Sequence, residues 1–199
     1  MMNTITTTLT TQAVFSEDGS KRYLLSKNWD EKKQKLTIIM LAPSEASGIA
    51  LDSTTQLVLN NAFRLGYGSV SIVNLFATLN DVGLKCAEDE DPENLDVIVQ
   101  EAKTAQCIVY APGVGKGKNK AFLSRQKQVL EVLKPFEGKL HCLCNEDGQA
   151  RLQHPLSPAV RVWHLSQMKV SELLETETHM EEPEQKKKGS TKQANTNPK

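Results

Sequence analysis

The chain has 199 residues in which 24 Lys plus Arg balance 24 Asp plus Glu, and a formal charge of zero excludes a uniformly basic or acidic protein. An apolar fraction of 39%, with eight Pro and eleven Gly, supports one ordinary domain and excludes collagen, coiled coil and wholesale disorder. No run approaches the roughly 20 apolar residues of a membrane helix, and Met1 to Gln12 is Thr-rich without a charged or apolar leader, so the expected compartment is the cytoplasm.

In chain order, residues 1–13 read as a flexible N-terminus. Residues 14–170 read as the folded domain, and 171–199 as a disordered, charged tail that runs from acids into Lys186, Lys187 and Lys188. Four apolar runs predict strands: LTIIML at 36–41, VSIVNLF at 70–76, CIVYA at 107–111 and LHCLC at 140–144. Between them, apolar residues at helical spacing predict helices over 53–65, 94–104 and 121–133. Nearly continuous apolar strands joined by helices leave no sheet face for water. They predict a three-layer α/β/α sandwich around a mainly parallel, four-stranded sheet.

Ligands of such sheets bind beyond the carboxyl ends of the strands. The segments that follow the predicted strands are APSEAS (42–47), the stretch from Asn74 to Asn80, PGVGKGKNK (112–120) and NEDGQARLQHPLSP (145–158), all rich in turn-forming and polar residues. Pro43-Ser44-Glu45 reads either as a plain capped turn or as a fixed turn that offers a hydroxyl and the Glu45 carboxylate to a ligand. Asn74 interrupts an apolar strand. It is either held by a structural hydrogen bond or reads the edge of a nucleobase, with Phe76, two residues on and expected on the same face, stacking on that base or filling the core. The GVGKGKNK segment lacks the G-x-x-x-x-G-K-[ST] order, which rules out a phosphate loop of the nucleotide triphosphatase kind.

From Gly113 to Lys139 seven cations (Lys116, Lys118, Lys120, Arg125, Lys127, Lys134, Lys139) face two acids. From Asp81 to Glu101 eight acids face Lys85 alone, so neutrality conceals a polarised chain. The basic stretch is either a solvated helix face or a strip for phosphates. His154, in His154-Pro155-Leu156-Ser157-Pro158, sits where the fold predicts a site. Cys86, Cys107, Cys142 and Cys144 are expected as free thiols; Cys142 and Cys144 stand two apart instead of forming a C-x-x-C knuckle, and no metal is assigned.

The order of these motifs resembles the uracil-DNA glycosylase superfamily and, more closely, an uncharacterised bacterial and phage family that looks related to it. The resemblance is carried by Arg22-Tyr23 with Trp29, Met40-Leu41-Ala42-Pro43-Ser44, Asp52-Ser53-Thr54, Gly66-Tyr67-Gly68, Val73-Asn74-Leu75-Phe76, Pro112-Gly113 and His154-Pro155-Leu156, over roughly residues 20–165. It implies a DNA glycosylase that flips out and excises an altered or modified base, in repair or in defence against phage. Ala42, Pro43, Ser44, Asn74 and Phe76 would line the base pocket, and His154 would stabilise the leaving base. Lys116, Lys118, Lys120 and Ser157 would hold DNA. Ala42 stands where most branches have Asn or Asp, so Glu45, or else Asp52, becomes the candidate for orienting water. Pro112 replaces a Trp. The Cys spacing does not fit the iron–sulfur cluster of some branches, and no cofactor, membrane or obligate protein partner is expected. A non-catalytic nucleic-acid-binding protein and a nucleoside or nucleotide hydrolase are the alternative readings.

Overall fold

The computed structural model describes residues 2–44, 48–79, 91–113, 120–148 and 152–178. Seven strands form one mixed sheet: β1 (Thr10–Phe15), β2 (Arg22–Asn28), β3 (Lys35–Met40), β4 (Ser69–Asn74), β5 (Cys107–Tyr110), β6 (Leu140–Cys144) and β7 (His164–Gln167), in the order β1-β2-β4-β3-β5-β6-β7. The four expected strands are β3 to β6, and their mutual pairings, β4 with β3, β3 with β5 and β5 with β6, are parallel. The expectation of a four-stranded sheet is corrected to seven, because β1, β2 and β7 join by antiparallel pairing at the two sides.

Four helices complete the fold: α1 (Ser53–Arg64), α2 (Pro92–Thr104), α3 (Lys120–Leu133) and α4 (Val170–Thr178). The ordered elements therefore extend beyond the expected 14–170 boundaries, with β1 starting at Thr10 and α4 running to Thr178. The Leu173 side chain supplies the reason for α4, since it is buried in the core despite its acidic surroundings.

Strand alternation divides the core in two. Ile39, Val73, Ile108, Tyr110, Leu140 and Cys142 pack with Ile98 and Ala102 of α2, Phe122, Val129, Leu130 and Leu133 of α3, and Val170 and Leu173 of α4. Leu36, Ile38, Met40, Val70, Ile72, Cys107, Val109 and Leu143 pack with Val58 and Ala62 of α1, and with Val160 and Trp163. Both faces are thus covered, which keeps the central strands continuously apolar.

Two of the motifs serve this scaffold. Gly66 ends α1 with φ +88°, a conformation open to glycine at little cost. Gly68 sits so close to the Asp30 carbonyl that a Cβ there would lie 2.0 Å from its oxygen. Trp29 seals the same turn by donating from Nε1 to the Tyr67 carbonyl at 3.0 Å. Among the described residues no helix is long and apolar enough to cross a membrane.

Candidate functional site

The chain passes from β3 to β4 on one side and from β5 to β6 on the other, so the loops that leave β3 and β5 part at the carboxyl edge of the sheet. In α/β sheets such a divergence marks where ligands bind. The loops bearing Ala42, Pro43, Ser44, Asn74, Pro112 and Gly113 leave this edge.

Arg22 enters from an unexpected direction. Along the β1–β2 pair, Val14 faces Leu24 and Phe15 faces Arg22, so Tyr23 has no partner in β1 and forms a bulge. One extra residue reverses the alternation beyond it. Tyr23 reaches α2, where its hydroxyl donates to Glu93 Oε2 at 2.8 Å. Arg22, 1% exposed, reaches the other face, where Nη1 donates to the Ser44 carbonyl at 3.1 Å. Farther along β2, Lys27 is also buried and its Nζ donates to Thr11 Oγ1 at 3.0 Å and to the Gly48 carbonyl. Two buried cations of one strand therefore hold the two described ends of the 44–48 loop. In the sequence Arg22 stood out only as a motif letter, and Lys27 not at all; a cation inside an apolar strand such as RYLLSKN is the signal that would have found them.

Asp52 caps α1, its Oδ1 accepting from the Thr55 N–H at 2.6 Å. Burial pushes its carboxyl up, but hydrogen bonds from the Ser44 hydroxyl and from the Thr55 N–H and hydroxyl, together with the Arg22 charge, outweigh this and hold it below the ordinary value. Asp52 is thus a carboxylate fully engaged by its neighbours. Its charge reaches His154, where it opposes the larger effect of burial, which draws the imidazole below its ordinary value.

His154 is fixed by its own turn. The Leu156 N–H donates to its Nδ1 at 3.2 Å and the Ser157 N–H to its carbonyl at 2.8 Å, while Ser157 Oγ donates to Gln153 Oε1 at 2.8 Å. With Nδ1 accepting, the neutral ring carries its proton on Nε2, which is left to donate. Gly113 makes room for it: φ is +87°, and a Cβ there would stand 3.1 Å from the His154 Cβ. Ser157 shapes this turn through its amide and hydroxyl.

Asn74, 1% exposed, ends β4 beside Met40, and its Nδ2 has no hydrogen-bond partner among the described residues. Its backbone carbonyl is taken by Asn94 Nδ2 at 3.0 Å. Phe76 does not share its face. The strand stops at Asn74, and Phe76 turns into the core on the α2 and α3 side, while Asn74 keeps the register of Val70 and Ile72 toward α1. Pro43 is buried, with Ala42 and Ser44 half-buried beside it.

Among the described residues the basic stretch does not form one surface. Arg125 is 5% exposed and clamps the main chain, donating from Nε to the Leu75 carbonyl at 2.8 Å and from Nη2 to the Asp91 carbonyl at 3.3 Å. Lys139 bonds the Ala105 carbonyl at 2.8 Å and Lys134 pairs with Glu131 at 2.6 Å, both at the amino edge of the sheet, away from His154. Lys120 starts α3 at the site's edge, but its side chain lies outside the described residues, as do Glu45, Lys116 and Lys118. The acidic segment likewise lies outside them up to Glu90. Of its described members, Asp91 caps α2 and pairs with Lys21 at 3.0 Å. Cys107, Cys142 and Cys144 are buried free thiols.

Fold and site together define a mixed α/β domain with polar groups gathered at the carboxyl edge of its sheet. The chain belongs to the family described as protein of unknown function (DUF1643), which matches residues 22–156, from Arg22 through the His154 turn. No curated protein and no solved structure matches it. The expected membership of an uncharacterised family is thereby shown, and that family's description says nothing of uracil-DNA glycosylases.

Proposed function

We propose that this protein is a DNA glycosylase-like hydrolase of N-glycosidic bonds that acts in the cytoplasm, flipping an altered or modified base out of DNA and excising it in repair or in defence against phage with modified DNA. The observation that supports the reading is the buried Asn74 Nδ2 at the carboxyl edge of the sheet, which has no hydrogen-bond partner among the described residues. An orphaned buried donor costs about 1–3 kcal/mol, a cost that makes sense where an incoming ligand supplies the acceptor. A flipped base offers carbonyl oxygens and ring nitrogens for this purpose.

Base loss passes through an oxocarbenium-like sugar and a base that leaves with negative charge. His154 Nε2–H is available to donate to the leaving base. The carboxylate of Asp52, already satisfied by Thr55, Ser44 and Arg22, supports the positive sugar as a fixed charge instead of taking a proton from water. Water orientation then falls to Glu45 in this reading, and Ala42 and Pro112, in place of polar or aromatic groups, leave space for a bulky base. Lys116, Lys118, Lys120 and the Ser157 turn would meet the phosphates. A non-catalytic nucleic-acid-binding protein is the second reading, favoured by Ala42, which has no group to position water. A hydrolase of free nucleosides or nucleotides is the third.

The test incubates the protein with single- and double-stranded DNA containing uracil, hypoxanthine or hypermodified cytosine, followed by alkali. Strand scission that is lost in His154→Ala and Asn74→Ala but kept in Cys142→Ser supports the assignment. No scission on any substrate, with DNA binding that survives His154→Ala, selects the non-catalytic reading. Base release from free nucleosides alone selects the third.

A further inference from the structure

The sheet has two edges that differ in kind. At one side β7 is four residues long, a length that limits pairing with another chain. At the other side β1 spans six residues, and no described strand pairs with its outer edge. Exposed edges in natural proteins carry charge, Pro or bulges that deter a further strand. From Met2 to Ser16 this chain has no charged residue, no Pro and no Gly, and it is rich in Thr with Ile5, Leu9, Val14 and Phe15. The bulge at Tyr23 lies on β2, so the extra residue does not disturb the outer edge of β1.

Backbone donors and acceptors along such an edge call for another strand, and its sequence indicates which. An antiparallel pairing of β1 with itself about a twofold axis at Gln12 sets residue i against residue 24 − i. Leu9 then faces Phe15 of the second copy, Thr10 faces Val14, Thr11 faces Ala13 and the two Gln12 side chains meet. Leu9 is 49% and Phe15 41% exposed in the isolated chain, so the two exposed apolar residues next to the edge become cross-strand partners twice over. No like charges oppose one another anywhere in this register.

We infer that two copies of this chain join through β1 in that register, forming one sheet continuous across the twofold. The dimer lies at the far edge from β5 and β6 and is independent of the activity proposed for the carboxyl edge of the sheet. Sedimentation velocity on the full chain tests it, with expected mass twice that of the monomer at concentrations up to about 100 μM. Gln12 is exposed, so Gln12→Lys and Gln12→Glu leave the fold intact, as circular dichroism will verify. Each variant alone brings like charges together at the axis and is expected to sediment as a monomer, while an equimolar mixture recovers the dimer. A monomeric wild type, a dimer indifferent to both variants, or a mixture that stays monomeric overturns the inference.

Discussion

Arg22 and Tyr23 are consecutive in the chain yet serve opposite faces of the sheet. The bulge at Tyr23 sends its hydroxyl to Glu93 on α2 and the Arg22 guanidinium to Ser44 and the charge of Asp52 beside α1. Arg22→Met removes a buried cation and leaves the Ser44 carbonyl and the Asp52 carboxylate short of a partner, for a loss of about 2–4 kcal/mol in urea unfolding. Arg22→Lys keeps the charge but not the planar fork, and is expected to lose less. Equal loss for the two substitutions would mean that charge plays no part.

How much of this was legible follows from the physics of each element. Strands β3 to β6 announced themselves because burial on both faces makes them continuously apolar, and the helices between them show their apolar stripe. β2 did not, because RYLLSKN places two cations inside a buried strand; partners distant in sequence, the Ser44 and Gly48 carbonyls, Thr11 Oγ1 and the Asp52 charge, make them tolerable. The short β7 and the acidic α4 carry too few apolar residues to stand out. The strand-end rule located Pro43, Asn74, Gly113 and His154 at one edge, since turn residues cluster there whatever the ligand. It could not reveal that Arg125 is inside, as a count of cations is blind to burial, nor that β4 ends early enough to turn Phe76 to the other face.

Burial draws the His154 imidazole below its ordinary value of 6.5, with Asp52 opposing. An NMR titration is therefore expected to place its midpoint below 6.5, and Asp52→Asn, which still caps α1, to lower it further by removing the opposing charge. The sign for stability follows. The unfolded chain takes up the proton first, so folding stability contributed by this site falls as pH drops from 6.5 through the folded value, and His154→Gln loses that part of the pH dependence. A midpoint above 6.5, or one raised by Asp52→Asn, would refute the arrangement.

Arg125 separates structure from DNA contact. Because its guanidinium is buried and bonds the Leu75 and Asp91 carbonyls, Arg125→Met is expected to cost about 2–4 kcal/mol of stability. DNA affinity of the protein that remains folded, and its salt dependence, should match wild type. A variant with wild-type stability and a shallower salt slope would return Arg125 to the phosphate strip.

Gly113→Ala probes the fit between two loops. Its φ of +87° and the 3.1 Å approach of a Cβ to His154 mean that a methyl group meets both backbone strain and the imidazole's own Cβ. About 1–2 kcal/mol of stability is expected to go through the left-handed backbone alone. A further effect should fall on the chemistry, because His154 must give by a few tenths of an ångström to admit the methyl group, and excision is expected to drop with it. Restored excision in a Gly113→Ala, His154→Gly pair would be incompatible with His154 as the donor to the leaving base.

Asn74 gives the sharpest division between stability and function. Most buried polar side chains stabilise through the bonds they make, and their truncation unfolds the protein. Here Nδ2 makes none among the described residues, so Asn74→Ala removes a desolvated donor at the same time as it opens a small void. The two effects oppose each other, and the net change in stability is expected to stay within about 1 kcal/mol. Base excision, by contrast, should fall by about 100-fold or more, since an acceptor on the flipped base would lose the buried Nδ2 donor. Asn74→Asp supplies the control: it preserves shape but offers oxygen where the base also presents oxygen, so it should shift preference toward bases that present a donor at that position. A large loss of stability in Asn74→Ala, with excision by the surviving folded protein unchanged, would show that the amide is a structural group whose partner lies within the chain.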